Sequence, residues 1–206
     1  LLTGSGPQDR NEEIFGHKPF WVLADALTRS GVAVLRADDR GIGGSSGNVL
    51  EATTVDFAEG ALAGVRFLAG QPRIAHDRIG LLGHSEGALE SAIAASRSPQ
   101  VAFIILLAGS GVPGDELLMR QTQLIARADG IPDAKLEPQL ALLRKSLDLI
   151  RDTKDEGILS AELRKVTRVR IALSSEDEKE ALGNLDEAVE REAVPYSHLT
   201  LPTNKE

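Results

Sequence analysis

Cysteine is absent from the 206 residues. No disulfide frame, thiolate chemistry or cysteine-bound zinc is therefore available, and the redox compartment stays open. A basic excess is absent too: 23 Lys and Arg stand against 31 Asp and Glu, for a net charge of -8. An acidic chain without a basic cluster is a poor partner for phosphate backbones, so no nucleic-acid role is expected. The longest apolar run, Val101 to Ala108, falls far short of the roughly 20 residues of a membrane helix. No signal peptide opens the chain and no internal repeat is visible. The chain is expected to be soluble, cytoplasmic or exported, with its oligomeric state open.

What is present is enough for one domain with a real core: 42% hydrophobic and 26% charged residues. Leu1 to Thr3 reads as a strand end, followed by the loop GSGPQDRNEE. Residues 18–30 read as a helix stopped by Gly31, and VAVLRA (32–37) as a short buried strand. DDRGIGGSSGN is a loop. Residues 54–69 form the next helix, with Thr53 and Asp56 as its start signal. RIGLLG is a strand running into HSEG, residues 87–96 a small-residue helix, and VAFIILLAG a fully buried strand. Alternating apolar strands and helices predict an α/β fold, a parallel sheet covered by helices on both faces.

After Gly109 the pattern turns helical, with amphipathic stretches at 115–128 and 137–151 and further helical signal at 156–166 and 175–192. A plain crossover needs one helix, so this block is expected to be a cap or lid. The expected organisation is a core over 1–110, a helical cap over 111–194 and a tail over 195–206. The opening LLTGSG implies residues upstream. PYSHLTLPTNKE has no period and is similar to the adapter-derived tails of assembled environmental sequence, so it is set outside the fold.

The chemistry centres on GHSEG, a G-x-S-x-G between a strand and a helix. There a serine on a sharp turn is exposed as a nucleophile, and the glycines two before and two after remove side chains that would collide. Ser85 is the candidate nucleophile. His84 and Glu86 cannot complete a triad with it, because neighbouring residues point apart. The glycine-rich GSGP loop is placed to supply an oxyanion donor. Gly6 and Glu86 are the candidate backbone N–H groups. Gly41, Gly43 and Gly47 mimic a dinucleotide fingerprint, but the spacing is wrong and no helix follows directly. Asp39 and Arg40 are instead expected to tie that loop down near Ser85.

GSGPQDRNE, GHKPF, LADAL, VLRADDRGIGGSSG, DRIGLLGHSEG and VAFIILLAG together resemble the α/β-hydrolase superfamily. The likeness is to its bacterial serine carboxylesterase branch, near the serine aminopeptidases and acylaminoacyl peptidases. It covers residues 1 to about 110 closely and the helical block loosely. GSGP stands where the peptidase relatives carry HGGP, which implies Gly6 as oxyanion donor. The resemblance implies an α/β-hydrolase fold, here partial. It also implies an acyl-enzyme on Ser85, a small ester or short peptide substrate, and no cofactor or metal. It further requires an acid and then a histidine after Ser85. His17 and His76 precede it and suit surface or capping roles, and His84 is expected to point into the core. His198 alone follows Ser85. VRIAL (169–173) reads either as a strand presenting Asp177 as the acid or as part of a charged helix. The base is expected beyond these residues, with Asp177 and His198 the weaker option, so the 206 residues alone are expected to be inactive. A peptidase, or a non-catalytic binding protein on the same fold, remains an alternative.

Overall fold

The computed structural model describes residues 1–49, 52–174 and 176–190, with the side chains of 176–178 excepted. The chain divides into two compact units, Leu1–Gly111 and Val112 onward. The first is mixed α/β, with helices α1 (Pro19–Arg29), α2 (Thr54–Ala69) and α3 (Glu86–Arg97), and strands β1 (Gly80–His84) and β2 (Phe103–Leu107).

Helix starts and stops follow local chemistry. Pro19 opens α1, where its missing N–H has no intrahelical partner to lose, and Gly31 follows its end at φ +85. Thr53 and Asp56 form a reciprocal capping box at the start of α2. The Asp56 N–H donates to Thr53 Oγ1 at 3.3 Å and the Thr53 N–H to Asp56 Oδ2 at 2.8 Å.

β1 and β2 pair in parallel, Gly80 opposite Phe103 through His84 opposite Leu107. Leu2 bridges β1 on its other side, its N–H donating to the Leu82 carbonyl at 2.8 Å and its carbonyl accepting from His84 N–H at 3.0 Å. β1 is thus central. Ala58, Ala61, Leu62 and Val65 of α2, Leu81 of β1 and Ala94 of α3 form the core of this unit.

Two expectations for the sheet are corrected. VAVLRA (32–37) forms no strand among the described residues: beside it lies Leu1, whose amino group makes one bond to the Leu35 carbonyl, at 2.9 Å. A strand needs a repeating ladder, and one bond does not make it. Leu35 still packs inward, against Gly64 of α2. β2, expected to be fully buried, is open: Phe103 is 51% exposed and Leu106 49%. Adjacent strand residues point to opposite faces, so both faces of β2 lack cover from the described residues.

The second unit is helical: α4 (Gly114–Ala128), α5 (Asp133–Asp152), α6 (Glu156–Ala172) and α7 (Glu176–Leu182), with further helix at 185–190. α5 begins earlier than the expected 137 and runs through Pro138. Residues 169–172 continue α6, which overturns the strand reading of VRIAL. The apolar positions Leu159, Leu163, Val166 and Ile171 recur at helical spacing and are buried. An open cavity of about 410 Å³ in this unit is lined by charges of both signs, including Glu116, Arg120, Arg144, Asp148 and Arg151. No described helix is long and apolar enough to cross a membrane.

Candidate active site

Ser85 occupies the single-residue turn between β1 and α3, with φ 52 and ψ -113. A non-glycine residue at positive φ is strained, and such strain persists only where the surroundings over-determine it. Here they do. The Ser85 N–H donates to the Leu107 carbonyl at 2.9 Å, and its carbonyl accepts from Ala88 N–H at 3.1 Å. A Cβ on Gly83 would lie 1.9 Å from the Gly87 carbonyl oxygen. One on Gly87 would lie 2.4 Å from the Leu2 carbonyl oxygen and 2.5 Å from that of Thr3. Both contacts are with backbone, which has nowhere to move, so the G-x-S-x-G spacing follows from the space available. Gly109, after β2, is closed to a side chain by the Ala88 Cβ at 2.7 Å. Small residues on α3 let the helix N-terminus sit against the strands, and its positive end faces Ser85.

The loop before α1 is braced residue by residue. Gln8 N–H donates to Asp39 Oδ2 at 2.9 Å. Asp9 Oδ1 accepts from the N–H groups of Asn11 and Glu13, both at 3.0 Å. Arg10 grips Asp38 with its backbone N–H and Nε, each 2.9 Å from Oδ1, and with Nη2 on Oδ2 at 2.5 Å. Asn11 Oδ1 accepts from Arg36 Nη1 at 2.6 Å. Glu12 is buried, at φ 53, and its Oε1 receives the Gly4 N–H at 2.6 Å and faces His84 Nδ1 at 2.7 Å.

Electrostatics follow these contacts. The Arg10 side chain, then the Arg10 and Gly44 N–H groups, hold the Asp38 carboxyl well below the usual carboxylate range. Burial pushes Asp39 up, against hydrogen bonds from Gln8 and Thr3. Glu90, one turn beyond Glu86 on α3, is pushed up to about 8 by burial and then by the charges of Glu86 and Asp39.

Of the expected site residues, Gly6 lies in the braced loop at φ +93, and its N–H donates to no group among the described residues. Glu86 is the first residue of α3, a position whose N–H has no intrahelical acceptor, and its side chain accepts from Thr54 Oγ1 at 2.6 Å. His84 does not point into the core: its side chain is 43% exposed and turned to Glu12. No described histidine hydrogen-bonds the Ser85 hydroxyl. His17 and His76 are exposed. Asp177 is on α7 with its side chain outside the described set, and His198 lies outside the described residues. Arg40 reaches the Asp56 carbonyl at 3.4 Å, whereas the loop is tied by Asp39 and, unforeseen, by Arg10 with Asp38. Glu12 and Glu90 were also missed. The one available signal was the density of charge in QDRNE, unusual for a plain turn. No group of three or more metal-binding side chains occurs among the described residues.

The family described as BAAT / Acyl-CoA thioester hydrolase C terminal matches residues 57–184, more than half of the chain and including Ser85. No curated protein matches it.

Proposed function

The chain belongs to the BAAT / acyl-CoA thioester hydrolase C-terminal family, an α/β-hydrolase-like domain, and on that premise we propose that it cleaves an activated acyl bond through Ser85. The observation that carries this reading is the strained Ser85 turn between β1 and α3, with no room for a side chain at Gly83 or Gly87. A protein keeps such a turn where an exposed hydroxyl is used.

In the proposed reaction Ser85 Oγ attacks the acyl carbonyl carbon, and the hydroxyl proton passes to a base. The carbonyl oxygen, now negative, is held by the N–H groups of Gly6 and Glu86. The intermediate collapses, the C–S or C–O bond breaks, and the leaving thiol or alcohol takes the proton. Water then releases the acid and regenerates Ser85. A histidine outside the described residues supplies the base. The family description favours a thioester; the resemblance of the first hundred residues to serine carboxylesterases favours an oxygen ester. Both use the same machinery, and the helical unit is assigned as the lid that selects between them. In the proposed architecture helices cover both faces of the sheet, the cover over β2 coming from outside the described residues.

The test is labelling of the full-length protein by a fluorophosphonate, alongside release of free thiol from acyl-CoA and of p-nitrophenol from short esters. Labelling and turnover are expected in wild type and in neither case for Ser85→Ala. Turnover by Ser85→Ala at the wild-type rate would remove the assignment. The ratio of thioester to ester turnover names the substrate class.

A further inference from the structure

Glu12, in the braced loop, contacts both Gly4 at the loop's start and His84 beside the Ser85 turn. Carboxylates are seldom buried unless several hydrogen bonds hold them. Glu12 is 6% exposed and sits at φ 53, where a non-glycine backbone is strained. The Asp9 carboxylate on Asn11 and Glu13 N–H, and the Asp9 carbonyl on Glu12 N–H at 2.9 Å, force that conformation and turn the side chain inward. Its Oε1 then takes Gly4 N–H at 2.6 Å and His84 Nδ1 at 2.7 Å. His84 immediately precedes Ser85. A Cβ on Gly4 would stand 3.3 Å from the Ser85 Cβ and 3.1 Å from Glu12 Oε1, so the loop runs directly against the serine.

We propose that Glu12 is a positioning residue for acyl transfer at Ser85. Its carboxylate clamps the Gly4 amide and the His84 ring together, and this sets the Gly6 N–H at the distance from Ser85 that an oxyanion needs. The clamp also takes one amide of the loop out of use. Gly4 N–H is consumed by Glu12 and Gln8 N–H by Asp39, whereas the N–H groups of Ser5 and Gly6 donate to no described group. The inference rests on the reading of Ser85 as nucleophile.

The experiment compares full-length wild type with Ser85→Ala, Glu12→Ala, Glu12→Gln and His84→Ala. It reads the melting temperature, the fraction of protein finally labelled by a fluorophosphonate, the labelling rate, and kcat and KM. Glu12→Ala is expected to lose about 10²-fold in labelling rate and kcat with KM nearly unchanged, as for a misplacement of about 1 Å at a reacting centre. Glu12→Gln keeps an acceptor for the Gly4 N–H and should recover part of that loss. His84→Ala leaves that bond intact and should lose less than Glu12→Ala. If Glu12→Ala does not fold, the glutamine and His84 variants carry the comparison. Wild-type rates per labelled site in the Glu12 variants, with Ser85→Ala unlabelled, would make Glu12 a structural brace only and leave the nucleophile reading intact. Absence of labelling in wild type would remove that reading and this proposal together.

Discussion

The two units of this chain use charge differently. In the first, besides the local pairs Arg29 with Asp25 and Lys18 with Glu13, polar side-chain contacts join residues far apart in sequence: Arg10 with Asp38 across 28 positions, Glu12 with His84 across 72, Arg97 with Glu59 across 38. In the second, many are one helical turn apart: Arg120 with Glu116, Arg151 with Asp148 and Lys165 with Glu162. Arg164 with Glu190 and Arg168 with Asp186 reach further, and all of these pairs have exposed partners. Pairs one turn apart support a helix that would form regardless, and exposed pairs contribute little. Asp38 and Glu12 are buried, so their partners are obligatory and their geometry is specified. Polar contacts thus shape the first unit around Ser85, whereas the second relies on apolar helical faces.

The largest expected effect comes from breaking the chemistry while leaving this framework alone. Ser85→Ala removes one oxygen that caps nothing on α3. It should lower kcat on the order of 10⁶-fold with an unchanged melting temperature. Activity within tenfold of wild type would end the assignment. Gly87→Val attacks the framework itself. Its Cβ would overlap the Leu2 and Thr3 carbonyls, so soluble yield and activity should both collapse. A soluble, active variant would show that the turn is looser than its contacts imply.

A smaller effect sharpens the contrast in burial. In the folded protein Glu90 titrates at about 8, above its unfolded value, so the folded state holds a proton that the unfolded state releases. Stability attributable to Glu90 should therefore be full below the unfolded value and fall as pH rises toward about 8. Glu90→Gln should flatten that slope and melt higher than wild type at pH 9, as followed by thermal denaturation across pH. Equal slopes in the two proteins would mean that Glu90 is solvated. The smallest effect compares one arginine from each unit. Arg10→Ala strips the buried Asp38 of its main partner and should lower the melting temperature clearly. Arg151→Ala removes two exposed pairs and should leave it unchanged. Equal shifts would erase the distinction between the units.

Much of the local structure is legible in the sequence, because its causes lie within a few residues. Thr53 with Asp56 marks the start of α2, Gly31 follows the end of α1, and HSEG between an apolar run and a small-residue helix marks the turn at Ser85. VRIAL suits a strand or a helix by its length and apolar content; residues 169–172 continue α6, and of the five only Ile171 is buried. Residues 32–37 and β2 show the limit from the other side. Their apolar composition suits a buried strand, but strand pairing and cover depend on neighbours that a local pattern does not contain.

The sequence by itself determined where α1 and α2 begin and end, and that Ser85 sits between a strand and a helix, since capping, periodicity and glycine spacing act over one or two turns of chain. Only the tertiary structure decided that Gly87 faces the carbonyls of Leu2 and Thr3, that Arg10 grips Asp38, and that Glu12 joins Gly4 to His84. Arg10 and Asp38 stand 28 residues apart, and Glu12 and His84 stand 72 apart. Which carboxylate is buried, and what satisfies it there, is set by the packing that brings distant segments together and shuts out water.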